Sequence, residues 1–327
     1  MGFSEHGGPE VLRFVSVPDP VPGPRDLVVR VRAAGVNPVD SKVRRGMRGK
    51  PPAGAPVIPG WDAAGVVEAA GPQVRSFRPS DEVFFAGDIG RPGSYAEIVA
   101  VDERIVGRKP ARLSFEEAAG VPLVAITAWE SLFEHLEVPE GAGGSRSSLV
   151  VGGAGGVGSF AIQLAKKLGR LRVAATASRP ESADFCRKMG ADLVADHSKD
   201  LAAELGSAGV RAVEYVLSCA EKNDFLALAA ILAPLGRICC ICRVPSADLS
   251  GLFAKRGSIH FEAMFCRPQH GIEPERQGAL LSRVSELLDG GVLVPTVTRV
   301  LDWSEFREAH REIDTAHTVG KIVLRVG

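Results

Sequence analysis

Between Ser148 and Ala177 the apolar positions change period twice. Ser148-Leu149-Val150-Val151 is a short continuous apolar run, the pattern of a buried strand. Val157, Ala161, Leu164, Ala165 and Leu168 then recur at three- and four-residue spacing, so one helical face is apolar. Gly169 is the expected C-cap, and Val173 to Ala177 reads as a second strand. Leu193 to Ala195, Ala212 to Leu217, Arg237 to Ile241 and Ile259 to Phe265 are further short apolar runs, and helical patterns separate the first four of the five strands counted from Val173. Gly190 and Gly236 fall where helices should stop. This rhythm predicts an α/β doubly wound parallel sheet. Upstream, Leu27 to Ala34, Gly65 to Ala70, Glu82 to Phe85 and Tyr95 to Val101 read as strands in a Gly- and Pro-speckled region, which predicts a β-rich, barrel-like domain.

The turn between the first strand and its helix is Gly153-Ala154-Gly155-Gly156-Val157-Gly158. A strand before it and a helix after it make this a dinucleotide fingerprint rather than a Gly-rich hairpin turn. Gly153 permits the tight turn, Gly155 lets the backbone approach a pyrophosphate, and Gly158 brings helix and strand together. About twenty residues further on, an NAD site carries Asp or Glu for the ribose 2′-OH. Here the residues are Ser178 and Arg179, a hydroxyl and a guanidinium that suit a 2′-phosphate, so NADP(H) is the expected cofactor. The plainer reading makes Ser178 an N-cap, Arg179 a solvated residue and Pro180 the first helical residue.

At 327 residues the chain has room for a second domain. Its 39 basic and 39 acidic side chains balance, which gives nucleic acid no electrostatic footprint. No apolar stretch is long enough to span a bilayer and no signal-peptide core opens the chain, so a cytoplasmic protein is expected. Gly46 to Pro59 is the loosest segment. The six cysteines include a CxxC at Cys239 to Cys242, but on a strand those two side chains point to opposite faces, so they make a poor metal site. Reduced, space-filling cysteines are the expectation, with Cys219 or Cys242 as reactive thiols the lesser alternative.

Gly60-Trp61-Asp62-Ala63-Ala64-Gly65, with Gly71 and Val74 following, matches the glycine frame of the medium-chain dehydrogenases/reductases. Gly7 to Leu12, Ala34 to Asp40, Gly93 to Glu97 and Gly320 to Leu324 extend the match over nearly the whole chain. The chain resembles the zinc-independent quinone oxidoreductase-like branch, close to the "zinc-type alcohol dehydrogenase-like" group. The resemblance implies a GroES-like β-rich barrel domain at 1–118 and 266–327 and a Rossmann domain at 119–265. It also implies an active site in the cleft between them, and a homodimer or homotetramer formed through the sheet edge near Ile259 to Phe265. Met1-Gly2-Phe3 is shorter than the family's usual opening strand.

Departures from the family pattern decide the expected chemistry. Zinc-dependent relatives read Gly-His-Glu at Gly60-Trp61-Asp62 and supply a cysteine ligand within Gly35-Val36-Asn37; they also carry a four-cysteine lobe, whereas no cysteine precedes Cys186 here. Neither zinc is expected, and alcohol oxidation loses its Lewis acid. The short-chain mechanism needs a Tyr with a Lys four residues later, and neither Tyr95 nor Tyr215 has one. Hydride transfer from reduced nicotinamide to an enone or quinone, which delocalises charge onto oxygen, is the leading expectation. A zinc alcohol dehydrogenase and a non-enzymatic NADPH-binding protein are the alternatives.

The resemblance carries residues over one by one. Asn37 matches a residue lining the substrate site and is the expected hydrogen-bond donor, unless it only fixes the turn before Pro38; Asp40 organises the same loop. Lys42 stands where many quinone reductases have a tyrosine, and either polarises a carbonyl or reaches to water. Thr127 matches a threonine near the nicotinamide ribose, or packs a helix. In the cofactor-binding turn that opens at Gly153, residues Gly155, Gly156, Val157 and Gly158 meet the pyrophosphate, with Ser178, Arg179 and His197 around the 2′-phosphate. The segments holding Cys219 and Cys242 border the nicotinamide, and Phe265 walls the substrate pocket or belongs to the core.

Overall fold

The computed structural model describes residues 1–52, 54–141 and 144–326; Ala53, in the Gly- and Pro-rich segment, lies outside them. The chain forms two compact units, Met1–Ile126 with Phe265–Gly327, and Thr127–Met264.

The first unit begins with strands β1 (Asp26–Val36), β2 (Ala63–Ala70), β3 (Glu82–Phe85), β4 (Ile98–Asp102) and β5 (Val106–Arg108). The second contributes β6 (Ser147–Val151), β7 (Arg172–Thr176), β8 (Leu193–Ala195), β9 (Val213–Ser218), β10 (Leu232–Cys240) and β11 (Ser258–Phe261). The chain then returns to the first unit for β12 (Val297–Asp302) and β13 (Lys321–Arg325).

In the first unit the sheet runs β12-β13-β1-β2-β3-β5, with β4 also paired to β1. β1 is the organising strand, antiparallel to β2, β4 and β13. Its register sets Val36 opposite Ile322 and Ala34 opposite Ala63, so the residues just beyond its end meet those that precede β2 and open β13. Leu27, Val29, Val31, Trp61, Phe85 and Tyr95 fill the core beneath. Tyr95 precedes β4, because the turn Gly93-Ser94-Tyr95 bonds to the backbone of Ile58, Gly60 and Pro59 instead of pairing with β1. The short opening is ordered by bridges Gly2↔Arg13 and Phe3↔Val57.

The second unit is a six-stranded, all-parallel sheet in the order β11-β10-β9-β6-β7-β8. Counted from β6 this is 3-2-1-4-5-6, the doubly wound order with its switch point between β6 and β9. Gly190 closes the helix Pro180–Met189 at φ +111°, as a left-handed C-cap should. Two other glycine assignments change. The helix Gly156–Lys167 is capped at Leu168, and Arg170 rather than Gly169 takes positive φ. Gly236 lies inside β10, where Leu235 at φ +65° makes the irregularity that shifts the register between Leu232 and Arg237. β11 stops at Phe261 rather than Phe265, since Glu262 turns inward to bond His135. β10 stops at Cys240, so Cys242 lies beyond the strand. Among the described residues no helix is long and apolar enough to cross a membrane.

The helix Phe306–Asp314 seals one side of the first unit with Phe306, Ala309 and His310. His310 packs edge-on against Tyr95, ring centroids 5.7 Å apart, and both its ring nitrogens are buried without hydrogen-bond partners. Burial pushes its imidazole down to about 3; Arg44 and Arg45 act in the same direction, and Asp314 opposes them. Between pH 6.5 and 3 the folded state therefore binds fewer protons at this site than the unfolded chain, so the contribution is complete above 6.5 and lost as pH falls. Urea unfolding of the wild type should lose about 2 kcal/mol from this group between pH 7 and 5. His310→Leu should remove that part of the pH dependence; an unchanged slope would show that His310 is not the titrating group.

Candidate active site

Asn37, just past β1, is the N-cap of the helix Pro38–Arg44. Its backbone N–H donates to Asp40 Oδ2 at 2.8 Å, and Tyr95 Oη donates to the same oxygen at 3.0 Å. Its side chain is used at both ends: Nδ2 donates to Asp62 Oδ2 at 3.2 Å, and Oδ1 accepts from Lys321 Nζ at 2.6 Å. Lys321 also donates to the Val36 carbonyl at 2.9 Å and pairs with Asp62 Oδ2 at 3.2 Å. Asp62 Oδ1 accepts from the Leu123 N–H at 3.2 Å. Asn37, Asp40, Asp62 and Lys321 are all buried.

Burial sets the electrostatics of this cluster. It pushes the Asp40 carboxyl up to about 7, against the hydrogen bonds from Asn37 and Tyr95 and the charge of Lys321. Burial also pushes Asp62 up, opposed chiefly by Lys321. Asp40 Oδ1 has no hydrogen-bond partner, which suits a carboxyl that holds its proton near neutrality. Asn37 thus sits in the interior with its carboxamide committed to neighbours. Lys42 is half-buried in the last turn of the same helix.

In the second unit, β6 leads into the glycine turn. Gly152, at φ +76°, donates to Thr176 Oγ1 at 3.0 Å, and Gly153 donates to the Thr176 carbonyl at 3.1 Å, which ties the turn to the end of β7. A Cβ on Gly158 would stand 2.3 Å from the Gly152 carbonyl oxygen, and one on Gly153 2.7 Å from Ala175 Cβ. Those two glycines are required by packing. Gly155 is different: the nearest atom to a Cβ there is 3.6 Å away, so the protein itself leaves that space clear. Gly155 caps the helix Gly156–Lys167, whose first return bond is Ser159 N–H to the Gly155 carbonyl. The N–H groups of Gly156, Val157 and Gly158 have no carbonyl a turn earlier and suit an anion.

The other expected cofactor residues lie around this turn. Ser178 and Arg179 are exposed beyond β7; Arg179, not Ser178, is the N-cap of the following helix, with Pro180 at its first position. His197 is exposed beyond β8 and, with Val151, Gly152, Thr176, Lys199 and Asn223, lines a wide groove. Cys219 donates its N–H to the Val151 carbonyl at 3.0 Å, and Cys242 Sγ lies 3.9 Å from the Cys219 carbonyl oxygen. Burial pushes the Cys219 thiol far up, which opposes a thiolate nucleophile. Thr127 is buried in the helix Pro122–Trp129. Lys199 and Lys222 in the groove escaped the sequence reading, as did the central place of Lys321 and Asp62. A lysine opening the apolar run Lys321 to Leu324, and an aspartate between Trp61 and Ala63, were the available signals. Among the described residues, no group of three or more His, Cys, Asp or Glu side chains is arranged to hold a metal.

Residues 23–111 match the alcohol dehydrogenase GroES-like domain family, and residues 189–324 match the zinc-binding dehydrogenase family. A zinc-type alcohol dehydrogenase-like protein of Staphylococcus aureus is 35% identical over 316 residues, covering 94% of this chain and 92% of the relative. A 2-methylene-furan-3-one reductase of Solanum lycopersicum is 40% identical over 210 residues, 61% of this chain and 52% of that protein. Among solved structures, a Rhizobium etli protein provisionally described as a zinc-dependent alcohol dehydrogenase is 43% identical with TM-score 0.94, covering 100% of this chain and 97% of its own. A mycobacterial protein solved with NADPH is 29% identical with TM-score 0.86, covering 99% and 98%. The chain belongs to the medium-chain dehydrogenase/reductase superfamily of oxidoreductases, with the zinc-type alcohol dehydrogenase-like proteins.

Proposed function

We propose that this protein is an NADPH-dependent reductase of α,β-unsaturated carbonyls or quinones that works without zinc. The observation that carries the reading is the Lys321 ammonium at 2.6 Å from Asn37 Oδ1. Zinc-dependent relatives carry a metal ligand in the segment of Asn37 and another at Trp61. Here those two positions offer a carboxamide and an indole, and the carboxylate beside them, Asp62, is already paired with the buried Lys321 ammonium. This donor set does not fit a divalent zinc, which takes thiolate, imidazole or carboxylate ligands.

NADP(H) does fit the second unit. The N–H groups of Gly156, Val157 and Gly158 would meet the pyrophosphate in the space that Gly155 leaves clear. Ser178 and Arg179 follow β7 where an NAD site carries a carboxylate, so a 2′-phosphate would meet a donor and a positive charge. The mycobacterial relative solved with NADPH and the furanone reductase from tomato support this cofactor and an enone substrate. Bound in reduced form, the nicotinamide would supply a hydride. The chain then has to orient an acceptor that places charge on its own oxygen, and to exclude water. With its carboxamide held by Lys321 and Asp62, Asn37 acts by fixing the loop at the end of β1.

For the cofactor, tryptophan fluorescence quenching should report tighter binding of NADPH than of NADH. Arg179→Glu should weaken NADPH by about tenfold to a hundredfold, the 1.5–3 kcal/mol of a charged hydrogen bond, with little change for NADH. Equal affinities in the wild type would remove the 2′-phosphate assignment. For the reaction, protein freed of metal by chelation should oxidise NADPH with a panel of enones and quinones at an unchanged rate. Zinc-restored alcohol oxidation would favour the dehydrogenase reading, and cofactor binding without turnover would favour a non-enzymatic role. For assembly, β11 lies at the sheet edge with Phe261 56% exposed, and light scattering should report a dimer or tetramer.

A further inference from the structure

Cys219 and Cys242 follow the ends of β9 and β10, neighbouring strands of the parallel sheet, and both are half-buried thiols. The ladder continues one residue past β10, where the Ile241 N–H donates to the Ser218 carbonyl at 3.1 Å. Cys242 therefore stands diagonally across from Cys219. Strands about 4.8 Å apart with a rise of about 3.3 Å per residue put diagonal neighbours roughly 6 Å apart, within the Cα separation of about 4.4–6.8 Å that a disulfide spans. On a continuing strand the two side chains would point to opposite faces. The chain instead bends at Ile241 and Cys242, and Cys242 Sγ lies beside its neighbour, 3.9 Å from the Cys219 carbonyl oxygen. Burial raises the Cys219 thiol, and the thiol of Cys242 heads the neighbours that add to the rise.

Each cysteine leads into a wall of the wide groove of the second unit. Ala220, Lys222 and Asn223 come just after Cys219, residues 246–249 soon after Cys242, and all of them line the groove with Gly152 and Thr176. Cys219 also touches the glycine turn: its N–H donates to the Val151 carbonyl at 3.0 Å, and a Cβ on Gly152 would stand 3.6 Å from its own Cβ. β9 lies between β6 and β10, so Cys219 is held by β6 on one side and has Cys242 on the other. Closing a bond of about 2 Å between the sulfurs draws Cys219 toward β10 and away from Val151, the residue that leads into the turn. Of the other cysteines, Cys186, Cys239 and Cys240 are buried, which keeps a dissolved oxidant from them.

We propose that Cys219 and Cys242 are a redox-sensitive pair whose disulfide weakens NADP(H) binding to the second unit. The proposal rests on the NADP(H) assignment and not on the choice of substrate. With a peroxide as oxidant, the Cys242 sulfur attacks one peroxide oxygen, the O–O bond breaks, and a sulfenic acid forms with release of water. The Cys219 sulfur then displaces the sulfenic oxygen, which leaves with the Cys219 proton as a second water. Two thiols and one hydrogen peroxide thus become one disulfide and two waters, the sulfurs giving up two electrons and the peroxide taking them. A dithiol reverses the change. Cys242 is attacked first because the raised Cys219 thiol yields little thiolate.

The full chain, treated with hydrogen peroxide, alkylated and digested, should yield a cross-linked Cys219–Cys242 peptide by mass spectrometry, lost after dithiothreitol. Tryptophan fluorescence quenching should report NADPH binding weakened by about tenfold after peroxide, within the usual range of coupling between two sites, and restored by dithiothreitol. Cys242→Ser and Cys242→Ala, each compared with itself, should bind NADPH equally before and after peroxide. Cys266, exposed in the first unit, reports that the oxidant has acted. If Cys266 is oxidised and no such peptide forms, or if the bridge forms and NADPH affinity holds, the proposal is overturned and the NADP(H) assignment stands. If the reduced wild type binds no NADPH, that assignment falls and takes the proposal with it.

Discussion

The ammonium of Lys321 lies in the interior of the first unit, and the end of β1 is arranged around it. It reaches the Val36 carbonyl, the Asn37 carboxamide and the Asp62 carboxylate. Stripping either member of a buried pair costs about 3–5 kcal/mol, since the other charge is left alone in low dielectric. The pair therefore locks three separate stretches of chain: the turn after β1, the residues before β2 and the first residue of β13. Two carboxyl groups stand near one ammonium, and burial raises both. The cluster holds little net charge because Asp40 holds its proton near neutrality, with Tyr95 and the Asn37 N–H donating to its other oxygen.

The glycine turn of the second unit is held by different means. There the constraint is steric: Gly158 and Gly153 pack against backbone and a neighbouring strand, while Gly155 faces space that the protein leaves open. The first unit uses the same device at Gly60, where φ is +86° and a Cβ would stand 2.2 Å from the Tyr95 ring. Trp61, between Gly60 and Asp62, is buried with its Nε1 unpartnered.

Much of this was legible in the sequence for a physical reason. The parallel sheet announces itself through continuous apolar runs, because its strands are covered on both faces. The glycine turn is read locally, since its sterics involve neighbours a few residues away. Where long-range geometry decides, the reading fails. Lys321 finds Asn37 across 284 positions, and no local pattern signals that contact. β5 is three residues long and β12 mostly exposed, so neither has a clear apolar signature. Gly236 looked like a helix stop, yet the chain enters β10 at Leu232 and Leu235 takes up the strain. The sequence marks Asn37 as a site position, yet nothing local to it signals that Lys321 and Asp62 engage both ends of its side chain.

The pairing of β1 with β13 has a kinetic meaning as well. β1 is among the earliest strands made and β13 the last, with the whole of Thr127–Met264 between them. A ribosome emitting residues in order releases every strand of the parallel sheet before the partner that completes β1. The continuous unit can thus collapse on the emerging chain while the discontinuous one waits with an open edge. The aspartate and asparagine beside that edge spend synthesis hydrated, and they are sealed into the interior only when the lysine that opens β13 arrives.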